Sequence, residues 1–391
     1  MYFRRSFLSA CPRHSSHWKT SGTILNLIHP GSEKTYHTPS TTRGSPRPIK
    51  HKDTMMSNTA AWITEAKARP FEIRPSPLGV PGDNQILVQN RAIAINPIDG
   101  KFQSLALYPI NYPAILGQDV AGEVVAIGAN VTRFKKGDRV IGTTIGFNSG
   151  RHEEKAFQAY TILQTNMASE IPDAISFERA VVLPLGITTS ASALFHPDFL
   201  SLQLPTEPAQ APLGKTLLVW GGASSVGSNA IQLAVAAGYE VITTASPKNF
   251  TYVKKLGASV VFDYSSLTII SDLVNSVQGK TMVGVFDAVG AWAPALEFIQ
   301  KTESTKIIIT TTRGFPIPPE GITMNQVSAL SIKDNHVGKA VFEDFLPKAL
   351  KSGVFVPAPE PLVAGRGLES LQGAVDLQRK GTSALKIVVL L

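Results

Sequence analysis

A short glycine- and serine-rich segment at residues 221–227, GGASSVG, is the part of the sequence best suited to bind a phosphate-bearing ligand. It stands between a strand pattern at 217–220 and a helix pattern that begins near Val226. A pyrophosphate needs backbone N–H groups at the start of a helix, without side chains in the way. We expect Gly221 and Gly222 to permit that approach, so that a side chain at Gly222 would obstruct the ligand, and Gly227 to let the helix pack closely on the sheet. A tight turn without a ligand is the alternative.

The residues after the next strand pattern indicate which dinucleotide would fit. An NAD site usually has Asp or Glu about 20 residues beyond the glycine segment, bonded to the ribose 2′-hydroxyl. Here residues 244–249 read TASPKN and contain no acid. Hydroxyl, amide and ammonium donors suit a dianionic 2′-phosphate, with Lys248 as a point charge. We therefore expect NADP(H) rather than NAD(H), and an ordinary solvated lysine is the alternative for Lys248.

Cysteine and histidine usage argues against a metal or thiol site. Cys11 is the single cysteine, so residues 55–391 contain none. A disulfide framework and any cysteine-built zinc or iron–sulfur site are excluded on that basis. His152, His196 and His336 are isolated in sequence and have no ligand spacing. The sequence therefore predicts no metal site.

The net charge of +8 is concentrated outside the expected folded region. Residues 1–54 hold nine of the 37 basic residues and two of the 29 acidic ones, which leaves 28 basic and 27 acidic residues in 55–391. A duplex-binding domain concentrates positive charge on its fold. Nucleic acid is therefore not an expected partner. Since no stretch approaches the ~20 apolar residues of a membrane-spanning helix, a membrane is not expected either.

Residues 1–55 are predicted to be a disordered basic extension, rich in Ser, Thr, Pro and His. The first 32 residues contain no acid, as in an organelle transit peptide. A flexible leader, or upstream sequence before a start at Met55 or Met56, is the alternative. We expect a cytoplasmic protein, with a mitochondrial one as the alternative.

The remainder changes character along the chain. Between 60 and 160 the pattern is β-rich, a helix is expected at 177–195, and a proline-rich loop follows at 205–212. After Gly214 strands alternate with helices, which predicts a doubly wound parallel sheet. The strands expected from these patterns lie at 86–89, 91–95, 121–127, 139–142, 217–220, 241–244, 260–262, 283–286, 306–310 and 385–390.

Several of these segments together resemble the zinc-independent medium-chain dehydrogenase/reductases, which include quinone oxidoreductases and enoyl reductases. The resemblance covers roughly 58–391 and rests on four motifs: NPIDGK at 96–101, GQDVAGEV at 117–124, KGDRV at 136–140, and the glycine segment. The runs at 246–249, 256–258 and 262–264 look most like fungal trans-acting enoyl reductases that serve polyketide synthases.

The resemblance implies an α/β fold in two parts, a GroES-like β-rich catalytic domain and a Rossmann doubly wound parallel-sheet domain. The expected bounds are 56–185 for the first part of the catalytic domain, 186–334 for the NADP-binding domain, and 335–391 for the return to the catalytic domain.

The resemblance also implies which residues form the site. Ser224, Ser225 and Val226 would approach the pyrophosphate, and the 2′-phosphate would be surrounded by Ser246, Lys248, Asn249 and Tyr264. The residues expected to border the nicotinamide end are Asn96, Pro97, Asp99, Lys101 and the turn Ala288-Val289-Gly290. For Asp99, capping a helix is the alternative.

Zinc-containing relatives place a cysteine near Pro97 and a His-Glu pair after the glycine at 117, where this chain has Gln118-Asp119. Conjugate hydride addition to an α,β-unsaturated acyl group is then the chemistry expected. Charge that develops on the carbonyl oxygen needs donors and a proton. Tyr108 is a candidate acid, with aromatic packing as its alternative, and Lys101 or solvent could serve instead.

Three functions remain open from the sequence. The first is an enoyl reductase acting on carrier-bound polyketide intermediates, the second a soluble NADPH quinone or enone reductase, and the third a non-catalytic nucleotide-binding subunit. An acyl-carrier domain is a candidate partner, with residues 316–319 and the basic stretch 339–351 as a candidate rim. A monomer or a homodimer is expected.

Overall fold

The computed structural model describes residues 57–106, 110–302 and 307–391. Within these ranges the strands are, in chain order, β1 (Asn58–Ile63), β2 (Glu72–Ser76), β3 (Gln85–Ala94), β4 (Ala114–Ile115), β5 (Asp119–Ile127), β6 (Arg139–Thr143), β7 (Tyr160–Gln164), β8 (Ala168–Glu170), β9 (Lys215–Trp220), β10 (Glu240–Ala245), β11 (Val260–Asp263), β12 (Thr281–Asp287), β13 (Ile309–Thr311), β14 (Met324–Gln326), β15 (Glu360–Arg366) and β16 (Leu385–Leu390). The α-helices there are α1 (Pro97–Leu105), α2 (Gly146–Ser149), α3 (Phe177–Ala180), α4 (Pro184–Phe195), α5 (Ser225–Ala236), α6 (Phe250–Lys255), α7 (Ile269–Ser276), α8 (Trp292–Lys301), α9 (His336–Lys339), α10 (Leu346–Ser352) and α11 (Leu371–Arg379). The expectations for residues 1–55 and for Tyr108 fall outside the described residues.

Six parallel strands form one sheet in the order β11-β10-β9-β12-β13-β14. This is the doubly wound order. The first strand, β9, lies at the centre, β10 and β11 extend the sheet on one side, and β12, β13 and β14 extend it on the other. Five of these strands were expected, although β13 begins at Ile309 and Lys306 lies outside the described residues. The short edge strand β14 was not expected, because three residues carry too little periodicity to read.

Helix α5 covers the centre of the parallel sheet. Its inward face carries Ala230, Leu233 and Ala234, which are fully buried at the spacing of successive helical turns. The helix therefore lies directly behind the first strand, with its N-terminus at the carboxyl edge of the sheet.

A second sheet of seven strands runs in the order β15-β16-β3-β5-β6-β8, and β7 also pairs with β3. The sequence predicted two strands at 86–89 and 91–95, but β3 is a single strand. The two predicted strands are therefore continuous. At their expected junction the pairing register against β5 shifts, between Asn90 and Ala92, as at a β-bulge. A further sheet of three strands, β2-β1-β4, completes this part.

The helix expected at 177–195 is divided into α3 and α4. Pro184 begins α4 and has no N–H to continue the ladder of α3, and Leu183 N–H bonds Ala180 O in a tighter turn instead. The expected domain bound at 185/186 accordingly falls inside the first turn of α4.

The end of the chain returns to the seven-stranded sheet. β16 pairs antiparallel with β3 and parallel with β15, so the last strand is inserted beside one of the first. The described residues form one compact unit. The fold class is confirmed as a GroES-like β-rich part joined to a Rossmann parallel sheet. In the part of the chain that the structure describes, no helix is long and apolar enough to span a membrane.

Candidate active site

A cleft of about 650 Å³ opens at the carboxyl edge of the parallel sheet. It lies at the carboxyl ends of the neighbouring strands β9 and β12, where the strand order switches from one side of the sheet to the other, the position at which doubly wound sheets bind ligands. Its walls also include segments of the β-rich part, among them the start of α1, the start of α4 and the first residues of β16. The cleft is therefore built by both parts of the fold.

The glycine segment presents the N-terminus of α5 to this cleft. Ser224, Ser225 and Val226 line the cleft, as the resemblance implied. Ser224 Oγ caps the helix by accepting a 2.9 Å hydrogen bond from Gly227 N–H. Ser225 Oγ is buried and has no hydrogen-bond partner among the described residues. A free hydroxyl at the positive end of a 12-residue helix fits a phosphate oxygen.

Gly222 acts differently from the expectation, whereas Gly227 allows the close packing at the start of α5 that was expected of it. Gly221, Gly222 and Gly227 do not line the cleft. A Cβ on Gly222 would lie 2.2 Å from Thr243 Oγ1, and one on Gly227 would lie 2.3 Å from Gly221 O. The prediction that a side chain at Gly222 would obstruct the pyrophosphate is wrong, because that side chain would point into the sheet. Gly222 is required by packing between strand and helix.

The residues expected around a 2′-phosphate do not line the cleft itself: three of them follow β10, and Tyr264 follows β11. Lys248 and Tyr264 are exposed, and Tyr264 retains about 52% of its accessible surface. Asn249 Nδ2 lies 3.1 Å from Ser246 Oγ and 3.1 Å from Ser383 Oγ. The neighbours of Ser383, residues 381, 382 and 384, line the cleft. The contact of Asn249 with Ser383 therefore places the segment after β10 beside the cleft wall.

One carboxylate lies closer than the sequence suggested. Asp263 ends β11 and is the register partner of Ala245 at the end of β10. Its Oδ1 accepts hydrogen bonds from the N–H and the hydroxyl of Ser265, at 2.9 and 2.7 Å. The carboxylate is therefore held in its own turn, and the donors after β10 remain the groups available to a phosphate.

The opposite end of the cleft contains most of the residues expected at the nicotinamide. Asn96, Pro97, Lys101, Ala288 and Val289 all line it. Lys101 is half-buried, and its ammonium has no hydrogen bond or ion pair with any described residue. It is therefore a cationic donor available to a ligand. The other candidate acid, Tyr108, lies outside the described residues.

A buried polar network fixes the amide of Asn96. Lys386 Nζ donates to Asn96 Oδ1 at 2.6 Å and lies 3.0 Å from Asp119 Oδ2. Asn96 Nδ2 donates to the same carboxylate oxygen at 2.9 Å, and Leu185 N–H donates to the other at 2.7 Å. Both charged side chains are almost fully buried, at 5% and 0% exposed. The ion pair thus holds Asn96 in one amide orientation at the cleft wall.

Asp99 supports this wall from behind and does not line the cleft. Its Oδ2 accepts a 2.8 Å hydrogen bond from Asn96 N–H, as a helix-capping carboxylate does. Burial raises the pKa of this carboxyl to about 7, and the negative charge of Asp119 adds to the rise, while the hydrogen bond from Asn96 opposes it. The alternative of a helix cap therefore describes Asp99 better than a cofactor contact.

Several cleft residues were missed by sequence reasoning: Gln118, Thr312, Arg313, Thr382 and Lys386. Thr312 and Arg313 follow β13, so the general rule that ligands meet the carboxyl ends of parallel strands could have found them. Lys386 and Thr382 belong to the chain end, and no local pattern connects them to the glycine segment.

Two other expectations concern groups around the cleft. Among the described residues, no group of three or more His, Cys, Asp or Glu is arranged to hold a metal ion.

The basic stretch 339–351 does not line the cleft, and Lys339 pairs with Asp344 at 2.8 Å and with Glu343 at 3.8 Å. The charge of Lys339 is partly neutralised within the same stretch, which weakens this stretch as a rim for an acidic partner.

Comparison with known proteins agrees with this architecture. The Alcohol dehydrogenase GroES-like domain family matches residues 82–173, and the Zinc-binding dehydrogenase family matches residues 225–349. The two matches fall on the β-rich part and on the parallel-sheet part respectively.

Fungal relatives match nearly their full length. The zinc-binding alcohol dehydrogenase domain-containing protein cipB of Emericella nidulans is 55% identical over 336 residues, covering 85% of this chain and 98% of the relative. The trans-enoyl reductase himH of Aspergillus japonicus is 36% identical, covering 85% of this chain and 97% of the relative. An alcohol dehydrogenase superfamily protein from Novosphingobium aromaticivorans superposes with a TM-score of 0.69 at 26% identity, covering 85% of this chain and 99% of the other.

Proposed function

The chain belongs to the medium-chain dehydrogenase/reductase family, and we propose that within it the protein is an NADPH-dependent, zinc-independent enoyl reductase. Its proposed substrate is the activated C=C bond of an enoyl thioester carried by a polyketide synthase. The observation that carries the proposal is the cleft, which joins the N-terminus of α5 to the donors Lys101 and Asn96.

The residues present fit a nicotinamide dinucleotide. Ser225 Oγ and the first N–H groups of α5 would hold the pyrophosphate, and Ser246, Lys248 and Asn249 would hold a 2′-phosphate. The absence of an acid at the end of β10, with Asp263 held by Ser265, favours NADPH over NADH. When bound, the cofactor supplies a hydride.

The chain's own donors suit conjugate reduction. Addition of a hydride to the β-carbon of an enoyl thioester leaves negative charge on the carbonyl oxygen, which preorganised donors must stabilise. Lys101 offers an ammonium without a competing partner among the described residues, and the second hydrogen of Asn96 Nδ2 remains available while Lys386 and Asp119 fix the amide. The α-carbon then takes a proton from Lys101 or from solvent.

The described residues offer no cluster of ligands for a catalytic metal, which supports a reaction without zinc. A zinc enzyme polarises an alcohol or ketone oxygen with the metal. Here Gln118 and Asp119 stand after Gly117, and Asp119 is already engaged by Lys386. The donor set therefore favours C=C reduction over alcohol oxidation.

The similarity to a trans-enoyl reductase supports a thioester substrate delivered by a carrier domain. The test is an NADPH-oxidation assay across enoyl thioesters, free and carrier-bound, with quinones in parallel. Faster turnover of enoyl thioesters than of quinones is expected, with the carrier-bound form preferred. Quinone reduction without any enoyl reduction would overturn the proposal.

A further inference from the structure

A second cavity of about 230 Å³ lies beside the cleft. Three residues line both the cavity and the cleft: Phe102, Gln118 and Phe147. The ring centroids of the two phenylalanines are 4.3 Å apart. The other lining residues of the cavity include Asp99, Leu116, Gly146, His152 and Lys155. The cavity wall is polar and apolar in about equal measure, and it includes one cationic side chain.

That side chain belongs to Lys155, a largely buried lysine with no counter-charge among the described residues. Lys155 is 8% exposed, and its ammonium makes no hydrogen bond or ion pair with any described residue. Burial lowers the pKa of Lys155, with no carboxylate acting to raise it. The other buried lysine of this region, Lys386, has both Asp119 and Asn96 as partners. A buried charge is normally paired, so the missing partner of Lys155 is informative.

The surrounding structure holds Lys155 in place. Its carbonyl oxygen accepts hydrogen bonds from Gln158 Nε2 at 2.6 Å and from Thr161 Oγ1 at 3.0 Å. A Cβ on Gly146 would lie 2.4 Å from Lys155 Cγ, so the glycine provides the space through which the lysine stem passes. The position of the ammonium is therefore set by the hydrogen-bonded backbone of Lys155 and by the space that Gly146 leaves for its side chain.

Nearby acidic groups form hydrogen bonds with other residues and no ion pair with Lys155. Glu153 bonds Arg151 at 2.8 Å, and Glu154 bonds Gln85 at 2.7 Å. Asp99, in the same cavity wall, accepts a hydrogen bond from Asn96 N–H at Oδ2, and its buried Oδ1 makes no hydrogen bond with a described residue. His152 adds no negative charge, because its imidazole is neutral or cationic; burial and the charge of Lys155 lower its pKa. No described carboxylate forms an ion pair with Lys155, so this position is open to an anion supplied by a ligand.

We propose that Lys155 binds an anionic oxygen, a carboxylate or an ionised enol, at the end of the enoyl substrate remote from the reduced bond. This inference rests on the proposed enoyl reductase activity and assigns the second cavity to the distal part of the acyl chain. Phe102, Phe147 and Leu116 would contact its hydrocarbon portion, and Lys155 would select chains that end in an acidic oxygen.

The test uses 2-enoyl pantetheine thioesters of increasing length, each ending in a carboxylate, in an acidic enol or in the neutral methyl ester of the carboxylate. Activity with NADPH is measured for the full-length protein and for its Lys155→Met, Lys155→Arg and Lys136→Met variants. Lys136 is an exposed lysine in a turn and controls for the loss of one positive charge. Binding of the saturated acid and ester is measured by calorimetry, so that the result does not depend on turnover.

At one chain length, the wild type should prefer an anionic substrate over the ester by about 10–100-fold in kcat/KM, the value of one charge-assisted contact. Lys155→Met should lose this preference, Lys155→Arg should keep much of it, and Lys136→Met should leave it unchanged. The carboxylate and enol arms identify which oxygen is preferred. Equal binding of acid and ester by the wild type at every length, or a preference that survives in Lys155→Met, overturns the inference. Reduction of neither substrate instead contradicts the proposed function, and the calorimetric comparison still decides the role of Lys155.

Discussion

Lys386 and Asn96, 290 residues apart in the sequence, are joined by a 2.6 Å hydrogen bond from the ammonium to the amide oxygen. The same ammonium lies 3.0 Å from Asp119 Oδ2, so one buried cation connects the last strand, the start of α1 and the start of β5. The cleft wall at the nicotinamide end thus depends on the return of the chain end to the β-rich sheet.

Replacing Lys386 by Met should lower the free energy of unfolding by about 3–5 kcal/mol, because the carboxylate of Asp119 would stay buried without a cation. The double variant Lys386→Met/Asp119→Asn should lose less than the sum of the two single losses. Urea unfolding of the three variants measures this coupling. Lys136→Met, which removes an exposed lysine, should change stability by under about 0.5 kcal/mol. Strictly additive losses would show that the network is not coupled.

Asp99 should make stability fall as the pH rises. Its carboxyl keeps a proton up to about pH 7 in the folded protein, against a value of 3.8 for an ordinary aspartate. Between these values the folded state binds more protons than the unfolded chain, so stability is lost as pH rises toward and through about 7. Asp99→Asn carries no such proton and keeps an acceptor for Asn96 N–H. Urea unfolding at about pH 5 and about pH 8 should show a larger loss for the wild type than for Asp99→Asn, and an equal loss would contradict the assignment.

Lys248→Ala should weaken NADPH binding by roughly 10–100-fold, because one charge-assisted contact to the 2′-phosphate is lost. Binding of NADH, which has no phosphate there, should be unchanged. Titration of both cofactors by fluorescence or calorimetry measures the two effects. Equal affinity of the unmodified protein for NADPH and NADH would remove the basis for this site.

Gly222→Ala should destabilise the fold by about 1–3 kcal/mol, because its Cβ would lie 2.2 Å from Thr243 Oγ1. Gly373 lies inside α11, and a Cβ there would meet open space. Gly373→Ala should therefore raise the free energy of unfolding by about 0.5–1 kcal/mol. Thermal unfolding of the two variants tests the contrast. A Gly222→Ala variant with unchanged stability and lost NADPH binding would instead support a role at the pyrophosphate.

The sequence was most informative where one local pattern decides structure. The strand, glycine turn and helix at 217–236 could be predicted because periodicity and steric freedom are local properties. The direction in which a side chain would point from that turn could not be predicted. The sequence therefore suggested a role for Gly222 at the ligand, whereas the structure places it in the core. Asp263 was overlooked for a related reason, because it reaches Ala245 only through the register of two parallel strands.

The other misses come from long-range pairing. Lys386 lies in a strand that was correctly predicted, but its partner Asn96 is fixed only when β16 pairs with β3. Lys155 has no sequence signal at all, since an uncompensated charge is defined by what surrounds it in space. Burial and charge balance, rather than motifs, identify both residues.

The central claim is that a hydride from NADPH reaches the β-carbon of an enoyl thioester. The most direct test supplies NADPH deuterated at C4 in each of its two configurations, together with a pantetheine-bound enoyl thioester, and locates the label in the product by mass spectrometry and NMR. We expect a saturated thioester with one deuterium on the β-carbon, from one of the two cofactor configurations. Deuterium on a carbonyl-derived carbon, or consumption of NADPH with the C=C bond intact, would contradict the account.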